Sequence, residues 1–362
     1  MDGLTTFLFA LALQAGYNTA LVTLGAALLG VAAGATGSFV VLRKRALVSD
    51  AIAHATLPGI AIAFMLLVAF GTEGRWLPGL TVGAAASALL GVLVIQWIVR
   101  HTRLSEDAAI GAVLSVFFGA GVVLLTVVQV MDGGRQAGLE GFLLGATAGM
   151  LASEALTIAV AGVGVAAIVF MNRRAMTLTA FDPDYAAVQG VDVARTDLVS
   201  MGLALAVTVI GLKIVGLVLI VALLIIPPVI ARFWTDRTDF LIWIAALAGG
   251  LSGYLGAALS ASADALPTGP LIVLVAFGLF MASMLFAPRR GGIMMALRHH
   301  ARRRGYAGDA MLNAHEVARW RAARVLMRDD PTLDLDDGLT PIATLLTEDQ
   351  IAVLDAYLAE TC

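Results

Sequence analysis

Arg43-Lys44-Arg45-Ala46-Leu47-Val48-Ser49-Asp50-Ala51-Ile52-Ala53-His54-Ala55-Thr56-Leu57-Pro58-Gly59 joins two apolar runs and sets a carboxylate and an imidazole four residues apart inside the second of them. On a helix, residues at that spacing lie on one face about one turn apart. Asp50 and His54 could therefore grip a single ion. An Asp near the bilayer centre costs roughly 2.5–3.5 kcal/mol even on the mildest insertion scales, so it needs a partner or a water-filled path. A blander reading competes: Asp50 caps a helix that starts after the basic triplet, and His54 hydrogen-bonds to a neighbouring helix. Pro58-Gly59 follows His54 by one turn and is expected to interrupt the span, because proline frees a backbone carbonyl.

The rest of the chain supports a membrane setting. Of its 362 residues 60% are hydrophobic and 14% charged, with a mean hydropathy of +0.92. A soluble domain carries nearer 25% charged residues, so the composition is that of a polytopic, all-α membrane protein. The net charge of −3 gives no reason to expect a nucleic-acid partner. The one cysteine, Cys362, has no intrachain partner, which excludes disulfides and thiolate metal sites. Met1-Asp2-Gly3 lacks the basic start of a cleavable signal peptide. A phosphate-binding Gly-rich loop, a His-Glu-x-x-His zinc motif and a serine nucleophile elbow are all missing. The sequence therefore predicts no enzyme, and any ATP hydrolysis must belong to another chain.

Apolar runs predict about nine transmembrane helices, near 17–42, 47–70, 77–99, 108–130, 140–171, 196–212, 214–231, 240–260 and 270–287. Residues 4–15 are too short to cross and are expected to lie at the interface or extend the first span. Basic residues gather on alternate loops: Arg43 to Arg45, Arg100 and Arg103, Arg173-Arg174, Arg232 and Arg237, and Arg289-Arg290. Positive-inside bias then puts the N-terminus outside and the C-terminus in the cytoplasm. Pro227-Pro228 predicts a bent or unwound end to its span, while Asp264 is read as part of a Pro/Gly turn.

One cytoplasmic loop differs from a bare turn. Between Phe181 and Gly190 the pattern predicts a short helix, with Asp182 as N-cap, Pro183 in the first turn and Gly190 as the stop. It suits either docking of a cytoplasmic partner or a solvated connector. Beyond residue 287 the composition changes, since residues 288–362 hold 10 of the 23 basic and 11 of the 26 acidic side chains. We divide the chain accordingly into a membrane domain, 1–287, and a small cytoplasmic tail, 288–362. The basic run from Arg289 to Arg304 should attract anionic membrane lipid. His299-His300 point about 100° apart on a helix and make a poor chelate. Two short helices are expected at 313–328 and 347–359.

Taken together, four separated motifs resemble the membrane permease of ABC importers for zinc, manganese and iron: Gly37 to Gly59, Glu106-Asp107-Ala108-Ala109-Ile110-Gly111, Phe181-Asp182-Pro183 with Ala187 and Gly190, and Val215 to Pro227. The resemblance covers roughly residues 17–287. It implies an importer-permease architecture of the type II kind in a prokaryotic plasma (inner) membrane, working as a homodimer. It implies that Asp50 and His54 coordinate a transported divalent ion together with the same pair from a second copy. Oxygen and nitrogen ligands of this kind suit manganese, zinc and iron alike. No cofactor would be bound permanently. Phe181, Asp182, Pro183, Asp184, Ala187 and Gly190 would dock on a separate ATP-binding subunit, an extracytoplasmic metal-binding protein would deliver the ion, and Pro58, Gly59 and Pro227 would break helices near its path. Family members usually have Gly before this Asp and often Ser before this His. Here Ser49 and Ala53 stand there. Two rivals remain: an ion-coupled secondary metal carrier that works without an ATPase, and a scaffold whose tail is the working part.

Overall fold

The computed structural model describes residues 3–72, 76–131, 152–262, 266–287 and 291, all within one unit, Met1–Gly292. The expected turn at Asp264, the start of the 140–171 span and the whole tail with its two helices lie outside the described residues. Among those described, eleven helices run in the order α1 Gly3–Leu11, α2 Tyr17–Leu42, α3 Ala46–Ala69, α4 Leu77–His101, α5 Glu106–Val130, α6 Ala152–Phe181, α7 Pro183–Val188, α8 Val193–Val215, α9 Leu217–Trp234, α10 Thr238–Ser260 and α11 Thr268–Phe286. Eight of them are long and apolar enough to cross a membrane, and α9 adds a shorter apolar helix. At 18 residues, or about 27 Å, α9 is still close to a bilayer core in length. The nine predicted spans correspond to these nine helices.

The chain is built around α2, which packs on α6, α8, α9 and, most extensively, α10. In α2, 72% of the residues in its apolar stretch are buried, against 22% for α5 and 17% for α6. Burial on all sides requires small residues where helix backbones meet in lipid. Gly30 and Gly34 of α2 face the backbone of Gly249 and Ala245 in α10, and Gly253 of α10 faces that of Ala26. A Cβ at any of these three glycines would strike a main-chain carbonyl. A second group of helices, α3, α4 and α5, packs mainly within itself, and α8 touches both groups.

Three expectations need correction. Helix α3 passes through Pro58-Gly59 without interruption, and α9 passes through Pro227 and Pro228 to Trp234. Each proline packs against a neighbouring helix: Gly121 of α5 leaves room beside the Pro58 ring, and Pro227 lies in ordinary contact range of Gly249 in α10. The lost hydrogen bond is tolerated because the surroundings hold the helix in place. Helix α6 continues ten residues past the predicted end of its span, carrying Arg173 and Arg174 in helical conformation. Arg is a good helix former whose stem can lie along apolar surface, and the Arg173 guanidinium sits 4.6 Å from the Phe170 ring centroid and 3.7 Å from Asp239 Oδ1. Of the two readings of the N-terminal apolar run, extension of α2 is not the one found. The run forms the separate helix α1, tied to α10 by a 2.5 Å hydrogen bond from Tyr254 Oη to the Leu11 carbonyl.

Candidate functional site

Asp50 and His54 both lie well inside α3, whose N-cap position is Arg45. The capping role for Asp50 is thereby ruled out. His54 Nε2 stands 3.3 Å from Asp50 Oδ1, and its ring meets Phe118 of α5 edge-on at 4.9 Å between centroids. At ligand distances of about 2.0–2.2 Å this N···O separation would subtend an angle near 105° at a shared ion, close to that of a tetrahedral site. The turn that carries the pair is otherwise sealed, since Ser49, Ala51, Ile52, Ala53 and Ala55 are all buried. The pair itself is not: the Asp50 side chain is 39% exposed and that of His54 24%.

Two features separate this site from a resident metal centre. Among the described residues no group of three or more His, Cys, Asp or Glu could hold a metal ion. The other imidazole nitrogen of His54, Nδ1, is buried without a hydrogen-bond partner among them. Histidines that hold a metal permanently almost always fix that second nitrogen to a carboxylate or carbonyl. An ion held here would be bound without that support.

The remaining predicted site residues fall in two places, the long apolar helices α3 and α9 and the short helix α7. Pro58 and Gly59 continue α3 one turn beyond His54. The His54 carbonyl is the one whose helical partner Pro58 removes, and Gly59 lets the backbone of Gly83 in α4 approach closely. Pro227 lies in α9, in contact with α10.

The second place is α7. Phe181 ends α6, the Asp182 side chain accepts a 2.9 Å hydrogen bond from the Tyr185 amide, Pro183 opens α7, and Asp184 lies in its first turn. Gly190 closes the element with φ of 80°, a conformation that favours glycine. Ala186 is buried, whereas Phe181, Asp182, Pro183, Asp184, Ala187 and Gly190 are exposed. So are Tyr185 and Val188, which with Phe181 give the segment a solvent-facing apolar surface.

A cluster that no local pattern reveals joins the two places. Arg43 and Arg45 flank Lys44 in the turn between α2 and α3. Arg43 Nη1 donates to the Thr179 carbonyl in the last turn of α6 at 2.5 Å, and Nη2 donates to both carboxylate oxygens of Asp197 in α8. Arg45 Nε lies 2.5 Å from Glu106 Oε1 at the start of α5, and its Nη1 lies 3.2 Å from Asp197 Oδ2. Glu106 stands out in the sequence as part of a motif. Asp197 does not, being an ordinary acidic residue near a helix start.

A bundle of apolar helices with an acid–imidazole pair on a central element and an exposed helical knob at one end defines a polytopic membrane permease. The ABC 3 transport family matches residues 17–287, and the chain belongs to it. It is 40% identical over 297 residues to the manganese transport system membrane protein MntC of Bacillus subtilis strain 168, covering 82% of this chain and 67% of that one. Identity with the zinc transport system membrane protein TroC of Treponema pallidum strain Nichols is 41% over 275 residues, or 76% and 91% of the two chains. Among solved structures it is similar to PsaBC from Streptococcus pneumoniae in complex with Fab, with a TM-score of 0.66 and 27% identity over 79% of this chain and 97% of that one. The chain is thus the membrane subunit of an ABC transporter, and it carries no ATPase motif of its own.

Proposed function

We propose that this chain is the permease of an ATP-driven importer for a divalent transition metal, manganese, zinc or iron, in a bacterial inner membrane, with its C-terminal end in the cytoplasm. Two copies would face each other so that Asp50 and His54 of each contribute to one ion site. The single observation that carries this reading is the Asp50–His54 pair, spaced as two ligands of one ion and left half-open on an otherwise buried turn. A carboxylate open to lipid is expensive. A second copy covering it would both shield the charge and complete the ligand set, and two carboxylates would neutralise a divalent cation. The unsupported Nδ1 fits a cargo that must be released rather than a cofactor that stays. Relatives named for manganese and for zinc transport leave the choice of metal open, as the ligand chemistry does.

Energy would come from a separate ATP-binding subunit. The knob from Phe181 to Gly190 offers Asp182, Pro183, Asp184, Ala187 and the apolar side chains beside them as its docking surface. An extracytoplasmic metal-binding protein would deliver the ion from the other side, and alternating exposure of the site would carry it across.

The test is uptake of manganese, zinc and iron into proteoliposomes holding the permease, its ATPase and the binding protein. Uptake should require ATP, and Asp50→Ala or His54→Ala should reduce it at least tenfold with assembly and basal ATP hydrolysis retained. ATP-independent uptake by the permease alone would favour the secondary carrier, and wild-type uptake by either variant would remove the proposed site.

A further inference from the structure

We propose that Arg43, Arg45, Asp197 and Glu106 form a clasp that transmits the movement of α7 to the metal-binding helix. The inference rests on the functional reading above and names residues that it does not use.

Its basis is what each charged group ties together. Helix α7 is held by two stems, the last turn of α6 before it and the first turns of α8 after it. Arg43 grips both, through the Thr179 carbonyl on one and the Asp197 carboxylate on the other. A force on α7 therefore reaches the α2–α3 turn through two bonded contacts. On the far side of that turn, Arg45 shares Asp197 and also holds Glu106. Helix α3 begins at the next residue, with Asp50 five positions on from Arg45, and α5 begins at Glu106 and carries the Phe118 ring that abuts His54. Both helices beside the Asp50–His54 pair are thus fastened at their starts, through Arg45, to the carboxylate that also anchors α7.

The turn itself allows little slack. The amides of Lys44 and Arg45 donate to the carbonyls of Val41 and Val40 at 3.0 and 2.9 Å, the paired pattern that closes a helix with a left-handed residue. Lys44 occupies that position with φ of 60°. Arg43 and Arg45 therefore leave a fixed backbone in fixed directions, and their side chains have to move with it. The two guanidinium groups and two carboxylates balance in charge, and all four side chains are at least two-thirds shielded from solvent. Shielded, multiply bonded ion groups resist partial rupture, because freeing one partner leaves the others buried and unpaired. Networks of this kind are suited to exchanging one whole arrangement for another.

The test uses the complete transporter in proteoliposomes and reads metal transported per ATP hydrolysed. In Asp197→Asn, which keeps the size and removes the shared charge, the complex should assemble and hydrolyse ATP at its basal rate while the transport-to-hydrolysis ratio falls at least tenfold. Stimulation of hydrolysis by the metal-loaded binding protein should also be lost, and Asp197→Glu should recover part of the ratio. Should Asp197→Asn fail to assemble, Arg45→Gln cuts the α3 and α5 side alone, leaves the grip of Arg43 on both stems, and should show the same fall. An unchanged ratio in an assembled variant overturns the inference. So does a parallel loss of uptake and hydrolysis that follows only the amount of complex, which is the signature of a structural role. A wild-type complex with no ATP-driven metal uptake overturns the functional reading and this inference with it.

Discussion

The seam between α2 and α10 and the outer face of α3 and α5 are built from similar residues to opposite ends. Both are rich in glycine. In the seam, Gly30, Gly34 and Gly253 press against carbonyls of the opposite helix, and no side chain could be inserted. On α5, Gly111 and Gly119 have nothing within 4 Å of where a Cβ would stand, and Asp50 of the adjoining α3 is half-open. Small residues in the first place are consumed by packing within one chain. In the second they remain unspent, next to a carboxylate that is costly to leave uncovered in a bilayer. One half of the permease is a closed scaffold, and on the proposed reading the other half keeps the surface on which a second copy would complete an ion site.

The contrast can be broken most sharply by enlarging one glycine on each side. Gly34→Leu would drive a side chain into the main chain of α10, where no rotamer relieves the clash. It should cost more than about 3 kcal/mol, the upper end of ordinary overpacking, and should strip folded protein from the membrane fraction. Gly111→Leu meets only open space. The single chain should fold with its stability unchanged or raised by up to about 1 kcal/mol, while crosslinking between copies and metal uptake both fall. Equal loss of folded protein in the two variants would erase the distinction. The smallest effect concerns the turn that joins the halves. Lys44→Gly removes a left-handed non-glycine residue that costs about 1–2 kcal/mol and adds unfolded-state freedom of roughly 0.5–1 kcal/mol. Thermal unfolding in detergent should therefore show a gain of at most about 1.5 kcal/mol. A clear loss would mean that the Lys44 side chain does more than the backbone requires.

What the sequence reveals here depends on distance along the chain. The Asp50–His54 pairing is legible because helical period alone brings i and i+4 together. The α7 knob is legible because capping is local chemistry, and the Asp182 side chain bonds an amide three residues away. Reading the prolines fails for the same reason in reverse. Whether a proline breaks its helix depends on what other helices pack against it, as Gly121 does against Pro58. The least legible feature is the Arg43–Asp197 contact, which spans 154 positions. A basic triplet after a span signals membrane orientation and says nothing of which carboxylate will meet it. The extent of α6 lies between these cases, because its end depends on where Arg173 finds Phe170 and Asp239.

Most directly, the central claim is tested by the stoichiometry and ligand set of the ion proposed to bind at Asp50 and His54. X-ray absorption of the assembled permease loaded with manganese or zinc, with metal counted per chain, should give one ion per two chains and a shell containing two imidazole nitrogens, both lost in His54→Ala. One ion in every chain, or a shell without imidazole, would contradict the shared site.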